Sequence, residues 1–139
     1  MRLVLDTNTV ISGLLWNGPP RKLLDAAISG NVELHTSAVL VTELRDVLAY
    51  PRFAQRLTVS NESVDRCVER YLSIAALTAS ATIDGAVIAD PDDDHVIACA
   101  LAAQADLIVS GDSHLLNLKH YQNIRIVKPA QALLIVGDG

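Results

Sequence analysis

Aromatic residues are scarce: one Phe, one Trp and three Tyr amount to 4% of the chain. Its core must therefore be built from Leu, Ile, Val and Ala, a composition typical of parallel sheets covered by helices. Cysteine is limited to Cys67 and Cys99. Both fall in helix-like segments with apolar neighbours, so buried free thiols are expected and a disulfide scaffold is excluded. No apolar run reaches transmembrane length, and a strand-like segment follows Met1-Arg2 directly. Neither a signal peptide nor a membrane anchor is expected, and the expected location is cytoplasmic. Cations are also few, 11 Lys and Arg against 16 Asp and Glu, for a net charge of −5. This counts against a nucleic-acid partner, because affinity for a phosphate backbone normally comes from Lys and Arg. Carboxylates gathered around metal ions invert that logic, since the bound cation then carries the local positive charge. Gly-rich phosphate loops, the G-x-S-x-G elbow and H-E-x-x-H are all missing, and His35, His95, His114 and His120 lack metal spacing.

The length of 139 residues fits one domain spanning 1–139. Residues 2–6 (RLVLD) read as a buried strand ending in an aspartate, followed at once by a helix over TNTVISGLLW. Gly18-Pro19-Pro20 breaks that helix, and RKLLDAAIS forms a second one running to Gly30. A strand is predicted at 32–37 and a strong helix at 38–50, ended by Pro51. Residues 52–58 form a short, more basic piece, and Ser60 is placed as the cap of a helix through VDRCVERYLSIAAL. A third strand is predicted at 77–83, then a buried helix over HVIACALAAQA, a strand at 106–112 and a helical turn around Leu115–Leu118. The last strand is IRIV at 124–127, and Pro129 opens a final helix. Alternating strands and helices imply an α/β fold, a parallel sheet covered on both faces.

In such sheets ligands bind beyond the carboxyl ends of the strands, where strand order reverses. Asp6 and Asp112 end two predicted strands that should be neighbours, so their carboxylates should converge. An isolated strand-end aspartate would ordinarily be a turn former or helix cap; two on central strands suggest a site. Glu43 lies beside the apolar stripe Leu40, Leu44, Val47 and Leu48, at the margin of a buried face. Its structural alternative is an ion pair with Arg45 or Arg52. The run Asp90-Pro91-Asp92-Asp93-Asp94 opens a helix otherwise almost without charge. Capping and the macrodipole account for one or two of these acids. Three in succession repel one another unless they share a cation. Carboxylates without a Cys or His cluster suit Mg²⁺ or Mn²⁺. Such ions acidify a bound water and clamp a scissile phosphate.

The motifs VLDTNTVISGL, LVTELRDVL and DPDDDHVIACALAAQADLIVSGDSHLL, taken in order, resemble the PIN-domain nucleases of the prokaryotic toxin type, the VapC-like family. The resemblance covers essentially the whole chain. It implies a three-layer α/β/α fold on a central parallel, roughly five-stranded sheet, and a metal-dependent endoribonuclease using Mg²⁺ or Mn²⁺. The family's first, second and fourth acids fall on Asp6, Glu43 and Asp112. The third falls on Asp94 by spacing back from Asp112, or on Asp93 by the D-P-D-D phrase, with Asp92 an outer candidate. Thr7, Asn8 and Ser110 become residues that orient the carboxylates or waters. An RNA substrate, a cognate antitoxin protein and a homodimer also follow from the resemblance.

Two other readings compete with the toxin. One keeps the chemistry for housekeeping RNA processing. The other is a non-catalytic domain that binds RNA or Mg²⁺. A receiver-like module lacks its strand-end lysine, since no lysine occurs between Lys22 and Lys119. A haloacid-dehalogenase-type phosphatase needs an aspartate where Asn8 stands.

Overall fold

A computed structural model describes residues 1–79 and 91–137, with side chains in the second stretch from Asp94 onward. Strands β1 (Arg2–Leu5), β2 (Glu33–Thr36), β3 (Ala75–Leu77), β4 (Leu107–Val109), β5 (His120–Tyr121) and β6 (Ile124–Val127) form one sheet in the order β3-β2-β1-β4-β6-β5. All pairings are parallel except that of the two-residue edge strand β5 with β6. The expected five parallel strands are therefore present, with an antiparallel sixth at one edge. Strand order grows outward from β1 to β2 and β3, then restarts on the other side with β4. The reversal point lies between β1 and β4, as the two strand-end aspartates required.

Among the described residues, eight helices connect or flank the strands: α1 (Thr7–Leu15), α2 (Pro19–Ile28), α3 (Ala38–Leu48), α4 (Pro51–Val59), α5 (Val64–Ile74), α6 (Pro91–Ala103), α7 (Ser113–Leu118) and α8 (Pro129–Val136). The period-two alternation of the strands splits the core into two layers. Leu3, Leu5, Leu107 and Val109 face one cluster with α1, α2, α5 and α8. Val4, Ile108 and Ile126 face the other, with Val96, Ile97, Cys99 and Ala100 of α6 and Leu115 of α7. Helices on both faces of the sheet make this the expected three-layer α/β/α architecture. Both cysteines are buried free thiols. Burial pushes the Cys99 thiol up to about 11, which keeps it unreactive near neutral pH.

Local details differ from the sequence reading where the signal was short. Residues 51–59 form α4, whose apolar face is only Phe53 and Leu57, with Pro51 at its first position. Ser63, not Ser60, caps α5, its hydroxyl oxygen accepting from the Arg66 N–H, while Ser60 closes α4. Strand β3 begins at Ala75, where alanines suggested continued helix, because Ala75, Ala76 and Leu77 pair with Leu34, His35 and Thr36. The rest of the expected third strand, from residue 80, lies outside the described residues.

Helix α1 is held at both ends by charge. Asp6 caps its N-terminus. At its C-terminus three arginines from later helices donate to backbone carbonyls: Arg21 to Gly13 at 3.0 Å, Arg56 to Leu15 at 2.8 Å and Arg70 to Leu14 at 3.5 Å. They satisfy carbonyls that a helix end leaves open and lie at the negative end of its dipole. α1 packs on α2 through Gly13, where an added Cβ would lie 2.8 Å from Leu24 Cδ1 and 3.0 Å from the Pro20 carbonyl oxygen. Gly13→Ala is therefore expected to destabilise the fold by about 2 kcal/mol through overpacking. Thermal unfolding should show a fall of several degrees; an unchanged midpoint would mean that α1 and α2 separate freely.

Candidate active site

The register Leu5↔Val109 places the residues following β1 and β4 side by side at the carboxyl rim. The Asp6 N–H donates to the Val109 carbonyl at 3.1 Å, and the Ser110 N–H donates to the Val127 carbonyl at 3.0 Å. The sheet thus delivers Asp6 and Ser110 to one point. Asp6 is 7% exposed and Ser110 fully buried. The Asp6 carboxylate accepts from the Thr9 N–H at 2.9 Å through Oδ1, and from the Ser110 hydroxyl through Oδ2. The same Ser110 Oγ accepts from the Asp112 N–H at 2.9 Å. One hydroxyl therefore joins both acids. Asp112 is half-buried, stands two residues beyond Ser110 and caps α7, its Oδ1 accepting from the His114 N–H at 2.7 Å.

Both aspartates are helix caps as well as rim carboxylates, so capping and convergence hold together. Asp112 does not end β4 directly; β4 stops at Val109, and Ser110 and Gly111 carry the chain to the cap. Asp6 and Asp112 line one open hollow together with Asn8, Thr9, Ser12, Gly111, Pro20 and Pro129. Asn8 is exposed at its mouth, whereas Thr7 is buried. The contributions of Thr9, Ser12, Gly111 and Pro129 were not read from the sequence, although Thr9 stands at the capping distance from Asp6.

Glu43 is half-buried on α3, a helix that packs against both α1 and α6. The arginines offered as its structural partners are engaged elsewhere. Arg45 pairs with Asp65, and Arg52 lies over the rings of Tyr50 and Phe53. Asp94 is half-buried in the first turn of α6. Asp93 belongs to that same turn, but its side chain and that of Asp92 lie outside the description. Among the described residues, no three His, Cys, Asp or Glu side chains come together as a metal-binding group. The described geometry thus joins Asp6, Ser110 and Asp112, and leaves open the choice between Asp93 and Asp94.

The electrostatics of Asp6 bear on a metal. Burial raises its carboxyl above the ordinary aspartate range, and the neighbouring Asp112 charge adds to the rise. The hydrogen bonds from Ser110 and Thr9 oppose it without cancelling it. Among the described residues, Oδ1 of Asp6 is engaged by Thr9 and Oδ2 by Ser110. A buried carboxylate beside another, with oxygen ligands only, fits a hard divalent cation.

The raised Asp6 value has a stability consequence of definite sign. The unfolded chain releases this proton at lower pH than the folded one. Stability therefore falls as pH rises from the ordinary aspartate value to the raised one, and the penalty is complete at neutral pH. In buffer free of divalent cations, Asp6→Asn retains a capping oxygen and should raise the neutral-pH melting temperature by roughly 2–5 °C. The margin should shrink toward pH ~4, near the unperturbed carboxyl value. A mutant that melts below the parent at every pH would refute the desolvation argument.

A family model for the PIN domain matches residues 2–114. No curated protein matches the sequence significantly. In fold, the chain is similar to the crystal structure of FitAcB from Neisseria gonorrhoeae, with a TM-score of 0.56 and 19% identity over 92% of this chain and 98% of that one. PIN domains are generally nucleases, and the rim position of Asp6 and Asp112 accords with that chemistry. With its first four strands and both rim aspartates inside the matched span, this chain belongs to the PIN-domain family.

Proposed function

We propose that the protein is a metal-dependent endoribonuclease that hydrolyses RNA phosphodiester bonds, acting as the toxin of a type II toxin–antitoxin pair. The observation that carries the nuclease reading is the joining of Asp6 and Asp112 through Ser110 at the strand-order reversal. Asp6, Asp112 and Glu43, with Asp93 or Asp94 from the first turn of α6, would hold Mg²⁺ or Mn²⁺. When bound, such a cation supplies positive charge for the scissile phosphate and lowers the pKa of water. The chain's own residues do the positioning. Ser110 fixes the Asp6 carboxylate and the Asp112 backbone at once, and Thr9 fixes the other Asp6 oxygen. Thr7 and Asn8, which follow Asp6 at the start of α1, complete the orientation of carboxylates and waters.

The toxin role, a cognate antitoxin and a homodimer rest on the resemblance of the three sequence motifs to the VapC-like family. No helix among the described residues is long and apolar enough to cross a membrane. The proposal takes residues 1–139 as one nuclease domain.

Labelled structured RNA incubated with the protein and Mn²⁺ should be cut. EDTA, Asp6→Asn or Asp112→Asn should each reduce the rate by at least about 100-fold, the scale of losing a transition-state charge contact. Cutting that persists in EDTA would sink the metal mechanism. Induction in cells should arrest growth, with relief by a co-expressed small protein. Harmless overexpression of a metal-active enzyme would instead select the housekeeping role.

A further inference from the structure

The 11 Lys and Arg side chains are divided unequally between structural work and solvent. Arg2, Arg45 and Arg70 are in ion pairs. Arg21, Arg56 and Arg66 donate to backbone carbonyls, and Arg52 lies over two rings. Among the described residues, Lys22, Lys119, Arg125 and Lys128 remain without a side-chain hydrogen bond, ion pair or ring contact. Three of these four line a single cleft of about 580 Å³, which has no Asp or Glu in its wall. In a chain of net charge −5 this is a local reversal of sign.

The cleft follows the β5–β6 edge of the sheet. Gln122, Asn123 and Arg125 lie at the turn and the start of β6, and Lys128 lies where β6 reaches the carboxyl rim. Four residues of β6 span about 10 Å. The upper end is tied to the acidic hollow along the chain in two ways. Lys128 lines the cleft, whereas the next residue, Pro129, lines the hollow. Leu116 of the cleft follows Asp112 by one turn of α7, about 6 Å along the helix.

The backbone here is also held in uncommon conformations. Lys119 has φ 63° and Gln122 has φ 52°, in the left-handed region that favours glycine. Strain of this kind persists where the surrounding structure fixes it, and it gathers at functional sites. Both residues line the cleft.

We infer that this cleft is the path of the RNA backbone leading to the cut site, with Lys119, Arg125 and Lys128 contacting phosphates and Gln122, Asn123 and Gln131 contacting sugar or base edges. The inference rests on the ribonuclease reading above. All the lining residues lie beyond residue 114, so this path is additional to the matched family span. The cations position substrate; none touches the reacting atoms.

The test uses Asp6→Asn protein, which does not consume the probe, and fluorescence anisotropy with a labelled single-stranded RNA over a range of KCl concentrations. Neutralising a phosphate contact to a single strand lowers the log–log salt slope by about 0.7. Lys119→Gln, Arg125→Gln and Lys128→Gln together should lower it by about 2 and weaken binding ~100-fold at 0.1 M salt. Lys22→Gln, removing the free cation outside the cleft, should leave the slope unchanged. Lys119→Gly relaxes the turn, so it should keep or raise the melting temperature while lowering the slope by about 0.7. With the catalytic residues intact, the triple variant should show a raised KM and nearly unchanged kcat.

An unchanged slope in the triple variant overturns the inference. So does poly-glutamate binding that depends on these three cations while RNA binding does not, because the cleft would then serve an acidic protein. Failure of the nuclease reading is distinguishable: RNA would bind with the predicted slope, but the parent would not cut it with Mn²⁺.

Discussion

A single carboxylate, that of Asp6, is held out of water at the junction of a strand and a helix, and the rest of the rim is organised around it. Burying a charge is costly unless hydrogen bonds and countercharge replace the lost water. Here the Thr9 N–H and the Ser110 hydroxyl replace part of it. The Thr9 bond requires α1 to start immediately after β1. The Ser110 bond requires β4 to lie beside β1 in one register, which the pairing Leu5↔Val109 supplies. Removing the strand reversal would separate the two partners and leave the acid without half of its compensation. The remaining deficit appears as a carboxyl raised above its usual range. A structure built for stability alone would place an amide there; an acid in that position is consistent with a cation as its final partner.

The opposite end of α1 shows the same economy of charge. Arg21, Arg56 and Arg70 come from three different helices to its last carbonyls. They tie α2, α4 and α5 to the helix that begins at Asp6, so the orientation of the site depends on packing far from it. Arg56 is also stacked on the exposed Trp16, which in turn leans on Phe53. Among the few aromatic groups, Trp16 thus holds Arg56 against the end of α1, while Phe53 and Tyr71 are buried in an otherwise aliphatic core.

Much of this was legible in the sequence, for physical reasons. Buried parallel strands give continuous apolar runs, and RLVL, LIV and IRIV are of that kind. An aspartate just beyond such a run lies at the rim whatever the details, so the sequence alone places Asp6 and Asp112 together. Elements with little buried surface were harder to read. β5 has two residues, and α4 buries two side chains, too few for a periodic pattern. Alanines at 75 and 76 favour helix intrinsically, and only pairing with β2 makes them strand. Ser110 was identified by resemblance as an orienting residue, but its double role needs the register of β1 against β4. The choice between Asp93 and Asp94 is a matter of side-chain direction in one helical turn, and spacing along the chain does not determine it.

The acidic composition and the proposed RNA substrate are reconciled by how the cations are used. Affinity depends on cations that are free to meet phosphates, not on their total number. In this chain most arginines are committed to carbonyls, carboxylates or rings, and three of the four uncommitted cations line the cleft that runs along the sheet edge toward the rim. Their sequence positions, 119, 125 and 128, look scattered because they lie on a helix end, the strand next to the sheet edge and a helix cap. The antiparallel hairpin of β5 and β6 brings the first two onto one edge by pairing His120 with Arg125. Lys128 follows because β6 must end at the rim beside β4. A net negative chain can therefore present a positive track a few residues long. The acids beside that track would repel a phosphate backbone until a cation joins them, so on the proposed reading RNA drawn along the edge would reach the cut site only with metal bound.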